Sequence, residues 1–405
     1  MKRGLGAFRA SGLVRLVQLT PPVTRALHIV HVLTRLLPAG TEENTIAIAR
    51  RQRQDGHRVT FIHGRQHSLA LLNALRGEFE VMQVPDLVHR ISPIHDLTSF
   101  IRLRAILRVL SPDVVHTHQS KAGVVASAAA AAAGVKGVVH GVHILPWINA
   151  GRLRAAAYVA MERAVAGASN AFISVSSGVR DACLSQGIGG AEQHFVVHSP
   201  IEISRFKQAK PADDVLSSEE RSGRTVVLML AAFEPRKRQE EFLDALADAS
   251  PGEDLIVLFA GDGPTLGLAR KKAEARFRPG QIRFLGHRED PERLIALADI
   301  CVLTSNREGL PRVLLQYLAG GRASVVTDLP GLNDVVRPDV NAVVADDIAG
   351  AVAELVRLSH DKDARHALAS EAAGTDLSGW DMNALYPALE RAYEFALAQR
   401  GTGEC

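Results

Sequence analysis

The chain has 405 residues, 47% hydrophobic, 5% aromatic and 22% charged, with a formal net charge of +3. That is the make-up of a soluble α/β protein with room for two domains of roughly 150–200 residues each. Cys183, Cys301 and Cys405 stand far apart with no CxxC or His pairing, which excludes a disulfide framework and a cysteine zinc site and fits a reducing cytoplasm.

No apolar run reaches the ~18 residues of a membrane-spanning helix. The Ala-rich run 123–135 is too short for one and reads as a helix of small side chains packed closely on a sheet. Residues 1–200 carry 22 Lys/Arg against 11 Asp/Glu, and residues 201–405 carry 25 against 33, so balances of +11 and −8 make up the net +3. A basic half calls for an anionic partner or is simply an Arg-rich solvated surface. No aromatic-basic stacking pattern or recognition helix supports nucleic acid. An anionic membrane surface or a phosphate-bearing acceptor is the better partner.

In chain order, residues 1–25 hold five cations and no acid, without a signal-peptide core. They are expected to be a disordered leader or a membrane-touching arm. The first strand is predicted at 26–33, then a Gly-containing loop and a helix at 45–54. Gly40 stands in that loop, and Thr41 or Asn44 serves as a simple cap. Asp55-Gly56 ends the helix, and a strand follows at 57–62, with His57 read as structural. A strand at 113–116 gives two readings for His118. If the strand runs on to 118, His116 and His118 point alike; if it stops at 116, His118 is freed toward the crevice. Lys121 precedes the Ala-rich helix opened by Gly123, and is either solvated or meets an acceptor phosphate. Strands are predicted at 138–142, 171–175 and 195–198, with a helix at 153–166.

The stretch 207–223 is polar and Pro- and Ser-containing, and reads as a linker. A second strand–helix series opens at 225, with a strand at 226–230, the cations Arg236, Lys237 and Arg238, and a helix at 239–247. Three cations beside a helix start oppose its dipole, which argues for a bound anion. After a strand at 255–260, Gly261, Gly263 and Gly267 imitate a dinucleotide fingerprint. The spacing is one residue too long and Pro264 intrudes, so NAD is rejected. A strand at 300–303 then runs into the loop holding Glu308. Gly309 admits close backbone approach, and Pro311 suits a first helical position. Unpaired N–H groups at 309–312 favour a phosphate, although an ordinary strand–helix turn has the same appearance. Further strands are expected at 282–286, 323–326 and 341–345, and the last helix at 383–398.

The run from Glu308 to Gly321 resembles the nucleotide-sugar signature of retaining glycosyltransferases of family 4, on the GT-B fold: E-G-x-P-x-x-x-x-E-A-x-A-x-G. Glu308, Gly309, Pro311, Ala319 and Gly321 match, while the second Glu is Gln316. The resemblance covers nearly all of 26–400. It implies two Rossmann-like parallel-sheet domains facing a central cleft, at 26–206 and 224–382, with a terminal helix and tail at 383–405, the helix crossing back to the first. It implies that Glu308 holds the donor sugar and that Lys237 pairs with the diphosphate. The usual Gly-Arg is Ala231-Ala232, so Arg236 or Arg238 would replace the missing cation. Gly40, Gly261, Gly309, Leu310, Pro311, Arg312 and Gln316 become donor-side residues, Gln316 gripping the ribose without charge. His118 matches the family histidine near the reacting sugar, and His143 with Lys121 belongs to the acceptor side.

The reaction implied is transfer of a sugar from a nucleotide diphosphate, expected to be UDP, to an acceptor hydroxyl with retention, in surface polysaccharide or glycolipid assembly. No cofactor is expected, and no metal. Asp361-x-Asp363 is a formal metal pair in surroundings that read as a solvated helix start. The expected location is cytoplasmic, at the inner face of the membrane. Two alternatives stay open: a GT-B epimerase acting on a UDP-sugar, and a lapsed sugar-nucleotide-binding subunit, which Ala232 and Gln316 suggest.

Overall fold

The structure is a computed structural model, and it describes residues 25–90 and 92–399. All of the expected basic leader except Arg25, and the tail beyond 399, lie outside the described residues. The first domain holds β1 (His28–Leu36), β2 (Arg58–His67), β3 (Glu80–Gln83), β4 (Val114–His118), β5 (Gly137–Val142), β6 (Ala171–Ser174) and β7 (His194–Val196). They form one parallel sheet in the order β3-β2-β1-β4-β5-β6-β7. The second holds β8 (Thr225–Leu230), β9 (Leu255–Ala260), β10 (Ile282–Gly286), β11 (Ile300–Leu303), β12 (Ala323–Thr327) and β13 (Val343–Ala345). Its order is β10-β9-β8-β11-β12-β13, again parallel. Helices cover both faces of each sheet, so central strands such as β9 (LIVLFA) are buried at every position.

The strand order of each sheet reverses once, between β1 and β4 and between β8 and β11. In parallel sheets the carboxyl ends of such strands open the crevice where ligands bind. At the second reversal the β8–β11 ladder closes after two register pairs, Ile300 with Val227 and Cys301 with Leu228. Beyond them the strands diverge, and Tyr317 fills the gap from the helix Arg312–Ala319. Its hydroxyl accepts the Leu230 N–H at 3.0 Å and lies 3.4 Å from the Val302 carbonyl, with the ring fully buried.

Several elements differ from expectation. Residues 63–112, without an expected element, hold the helix Leu69–Arg76, β3 and the long helix Pro93–Leu110. The first helix begins at Gly40, five residues early, because Ala39 is already extended and the run 40–44 needs no loop. β4 continues through His118, since His118 still pairs in register with Leu33 and Gly141. Pro311 is the cap rather than the first helical residue, with ψ 116°. The polar stretch 207–223 is not a free tether: Ala212 and Leu216 are buried in the second domain's core. The Ala-rich helix, Ser120–Ala133, does press on its sheet, where a Cβ on Gly123 would collide with the His140 ring. The helix Met382–Ala398 puts Leu385, Leu389, Tyr393 and Ala396 into the first domain's core beside Ile29, Val114 and Val139.

Tyr317→Phe removes the acceptor of the part-buried Leu230 N–H, so it is expected to destabilise the second domain by about 1 kcal/mol. Thermal unfolding of the variant against the parent checks this.

Candidate active site

Lys237 and Glu308 come from the two strands flanking the second reversal. β8 ends in Ala231–Glu234 and a tight turn, Pro235–Lys237; β11 ends in Thr304–Pro311. The loops are stapled together: the Asn306 N–H donates to the Arg236 carbonyl and the Thr304 hydroxyl to the Lys237 carbonyl, both at 3.0 Å. Lys237 Nζ then donates to Glu308 Oε1, and Arg236 Nη1 reaches the same oxygen at 2.5 Å. Lys237 is 8% and Glu308 9% exposed. Burial pushes the carboxyl up, but Lys237 and Arg236 outweigh it and hold Glu308 below its ordinary value. At Lys237 burial wins over the carboxylate, with Arg236 adding to it, so the ammonium lies below its own.

Of the two arginines beside Lys237, Arg236 is the one that joins it at Glu308. Arg238 does not: it has φ +60°, caps the next helix and pairs with Glu241. It lines a polar cavity of about 350 Å³ with Asn149 of the first domain and Ser305, Asn306, Asp328 and Asp346 of the second. The N–H groups of Gly309, Leu310 and Arg312 have no backbone acceptor among the described residues. Pro311 has none to offer. Leu310 is buried in the core, and Gln316 is half-buried on the following helix.

The two domains close over this loop. A Cβ on Gly309 would sit 2.5 Å from the His143 carbonyl oxygen, so only glycine fits there. Asp334 accepts from both the N–H and the hydroxyl of Ser177. Arg307 reaches the Pro146 carbonyl. Arg312 crosses to Glu43 at 2.7 Å and to the carbonyls of Gly40 and Pro200, so it ties the domains together in this state. Gly40 is the first residue of a helix rather than a bare loop amide. Gly261 has φ +145° and packs against the Ala231 carbonyl, which explains the glycine without a ligand.

On the first domain's side of the cleft, His118 is not freed. It is 1% exposed and lies in a cluster with His31, His116 and His143. The hydrogen bonds fix the tautomers. Gln52 Oε1 lies 2.8 Å from His31 Nε2, so that nitrogen donates. His31 Nδ1 then accepts from His118 Nε2 at 2.9 Å, and His118 Nδ1 accepts from His143 Nε2 at 3.1 Å. Gln52 Nε2 donates to the Tyr393 hydroxyl, which donates to His116 Nδ1. His116 Nε2 is buried with no hydrogen-bond partner among the described residues. Both ring nitrogens of His118 are engaged, so half-buried His143 is the end of the chain nearer the Glu308 loop. The ring nitrogens of His31, His116 and His118 also lie within 4.8 Å of one another, a donor set suited to a divalent ion of imidazole preference. The sequence spacing did not signal it, because His31 comes from β1.

Lys121 is neither solvated nor aimed at the cleft; it is buried and paired with Asp96. His57 Nδ1 accepts the Leu27 N–H at 3.1 Å, a structural role. The first domain also holds two buried carboxyls. Burial raises Glu42, which accepts from Gln119, to about 7, and Glu162, beside His140, to about 7.

Two family models match the chain: Glycosyltransferase Family 4 over residues 38–205 and Glycosyl transferases group 1 over residues 213–375. The chain belongs to this glycosyltransferase family, with the GT-B fold. It is 26% identical over 290 residues to an Escherichia coli UDP-Gal:alpha-D-GlcNAc-diphosphoundecaprenol alpha-1,3-galactosyltransferase, covering 69% of this chain and 74% of that protein. Its fold matches Anabaena Alr3699/HepE in complex with UDP-glucose, with TM-score 0.72 and 18% identity over 93% of this chain and all of that one. It matches equally the sucrose-phosphate synthase of Thermosynechococcus elongatus, with TM-score 0.72, 15% identity, 92% of this chain and all of that one.

The cluster sets a pH dependence. Burial holds His31 and His143 at about 4 and His140 at about 3, and drives His116 and His118 well below the ordinary value. Between about pH 6.5 and 4 the unfolded chain binds more protons at these five sites, so stability is full above 6.5 and falls as pH drops. Glu42 and Glu162 act in the opposite sense between about pH 7 and 4.5, but they are two against five. The melting temperature is expected to fall steadily from pH 7 to pH 5. A melting temperature that rises over that range contradicts buried neutral histidines.

Proposed function

We propose that the protein transfers a sugar from a UDP-sugar to a hydroxyl of a lipid-linked saccharide acceptor, with retention and without a metal, at the cytoplasmic face of the membrane. The observation that carries this is the convergence of Lys237 and Arg236 on buried Glu308, beside the unpartnered N–H groups of Gly309 and Leu310. Two cations and two amides form a compact receptor for a diphosphate. When the donor arrives, its phosphates take the cations over from Glu308. Glu308 is then released to hold a hydroxyl of the sugar and set the ring's orientation. As the sugar–phosphate bond breaks, charge builds on the leaving diphosphate, and Lys237, Arg236 and the amides stabilise it in a cleft already screened from water. The departing phosphate accepts the acceptor's proton. Gln316 meets the ribose with neutral hydrogen bonds, so nucleotide binding is weaker than a carboxylate would give.

The activity for which the Escherichia coli relative is named, on a diphosphoundecaprenol-linked acceptor, supports the lipid-linked class. The basic balance of the first 200 residues suits the same surface. Glu42, a buried carboxyl at about 7, favours the epimerase as second reading, since acid/base work needs such a group.

Incubating the purified protein with labelled UDP-sugars and membrane extract is expected to give label in lipid. No turnover of any donor overturns the transferase reading, and epimerised donor without transfer selects the second. Lys237→Ala and Arg236→Gln are each expected to lower turnover by about 100-fold or more, while Arg238→Gln stays within about threefold of the parent. Equal loss at 236 and 238 contradicts the assigned roles.

Chelation separates the metal question. Transfer after EDTA treatment is expected within about twofold of the untreated rate. A loss restored by Zn²⁺ moves the chemistry to His31, His116 and His118.

A further inference from the structure

The helix Pro93–Leu110 has its apolar side chains on two faces. Ser99, Leu103 and Leu107 turn to the sheet and are buried. The opposite face should be polar, yet it presents Ile94, Leu97 and Ile101 at 77%, 61% and 57% exposure. Their spacing of three and four residues puts them in one stripe, about 10 Å long. An exposed apolar stripe of this kind marks a contact surface rather than scatter. Nothing among the described residues covers it.

Charge decides what kind of partner suits it. The acids nearest the stripe are neutralised: Asp96 pairs with Lys121 and Asp86 with Arg102. Arg108 continues the stripe seven residues beyond Ile101, exposed and without a carboxylate partner among the described residues. Two helices over in the same layer, the helix Arg152–Ala168 begins with Leu153, 90% exposed, between exposed Arg152 and Arg154. The helices Pro93–Leu110, Ser120–Ala133 and Arg152–Ala168 pack side by side. The first and last follow β3 and β5 of a parallel sheet, so both begin at the carboxyl edge, beside the cleft. Apolar side chains flanked by unpaired arginines match the acyl–headgroup boundary of an anionic bilayer, where the apolar groups enter and the cations remain among the headgroups.

We propose that this layer of the first domain, from the Ile94–Leu97–Ile101 stripe to Leu153, is the surface by which the protein sits on an anionic lipid bilayer, with the cleft mouth facing the membrane. Its use, delivering a lipid-linked acceptor to the site, rests on the function proposed above; the docking itself does not. The geometry accounts for why the acceptor need not leave the bilayer: its headgroup enters the cleft from the edge where both helices start.

Sedimentation of the full chain with vesicles tests this. Binding is expected to phosphatidylcholine vesicles containing phosphatidylglycerol, falling steeply as salt is raised, and not to phosphatidylcholine alone. Ile94→Ser/Leu97→Ser/Ile101→Ser is expected to weaken partitioning about tenfold or more, and Arg152→Gln/Arg154→Gln several-fold. Both sets are exposed, so unchanged thermal melting confirms that the fold is kept. With the triple variant, transfer to a short water-soluble acceptor is expected to be unchanged and transfer to a lipid-linked acceptor in vesicles to fall with binding. If no transfer is seen with any acceptor while vesicle binding behaves as described, the docking surface stands and the proposed reaction fails. Vesicle binding by the triple variant equal to the parent overturns the proposal and places any membrane contact elsewhere, for example in residues 1–24. Self-association of the parent that the triple variant loses, without vesicle binding, overturns it in favour of an interface between copies.

Discussion

A carboxylate at 9% exposure cannot stand alone, and the answer to Glu308 organises the cleft. It takes two cations on one oxygen, from a loop that belongs to a different strand. That demand fixes the loop after β8 against the loop after β11, which is why the staples from Asn306 and Thr304 run to the carbonyls of Arg236 and Lys237. It also explains why the strands separate where they do. Tyr317 bridges the gap below the site, so the opening costs no stranded N–H. The ion triad is a poor source of net stability, because desolvation offsets most of its attraction. Its value lies in keeping two cations poised at one point until an anion of higher charge replaces the carboxylate.

Much of this was legible in the chain. Apolar runs of four to six residues between turn signals located nearly every strand of the second domain, because buried parallel strands show no alternation to confuse the pattern. The family resemblance picked out Lys237 and Glu308, which the fold brings together. The choice between Arg236 and Arg238 was not legible. It depends on a left-handed residue at 238, whose side chain pairs with Glu241 instead of joining Lys237 at Glu308. Residues 63–112 hid their elements for a related reason. The helix Pro93–Leu110 carries apolar side chains on both its buried and its exposed face, so its periodicity is blurred.

The histidines show the limit more sharply. His116 and His118 were visible as a pair two residues apart, and the choice between a buried and a free His118 turned on where β4 ends. Register decides it: pairing with Leu33 and Gly141 carries the strand through 118. His31 and His143 join from neighbouring strands, Gln52 from a helix and Tyr393 from the far end of the chain. No local pattern encodes such a meeting. Gly141 permits it, since a side chain there would press on His116, His118 and His143 together.

The helix Met382–Ala398 has a consequence for how the chain is made. Its Leu385, Leu389 and Tyr393 complete the apolar interior around Ile29 and Val139, more than two hundred residues upstream. The first half therefore leaves the ribosome with a strip of its sheet uncovered. At a synthesis rate of about 5–20 residues per second, the strip stays open for roughly 10–40 s before the closing helix emerges. Folding of the first domain must finish last, and through that interval the nascent chain presents an apolar sheet face of the kind that chaperones bind.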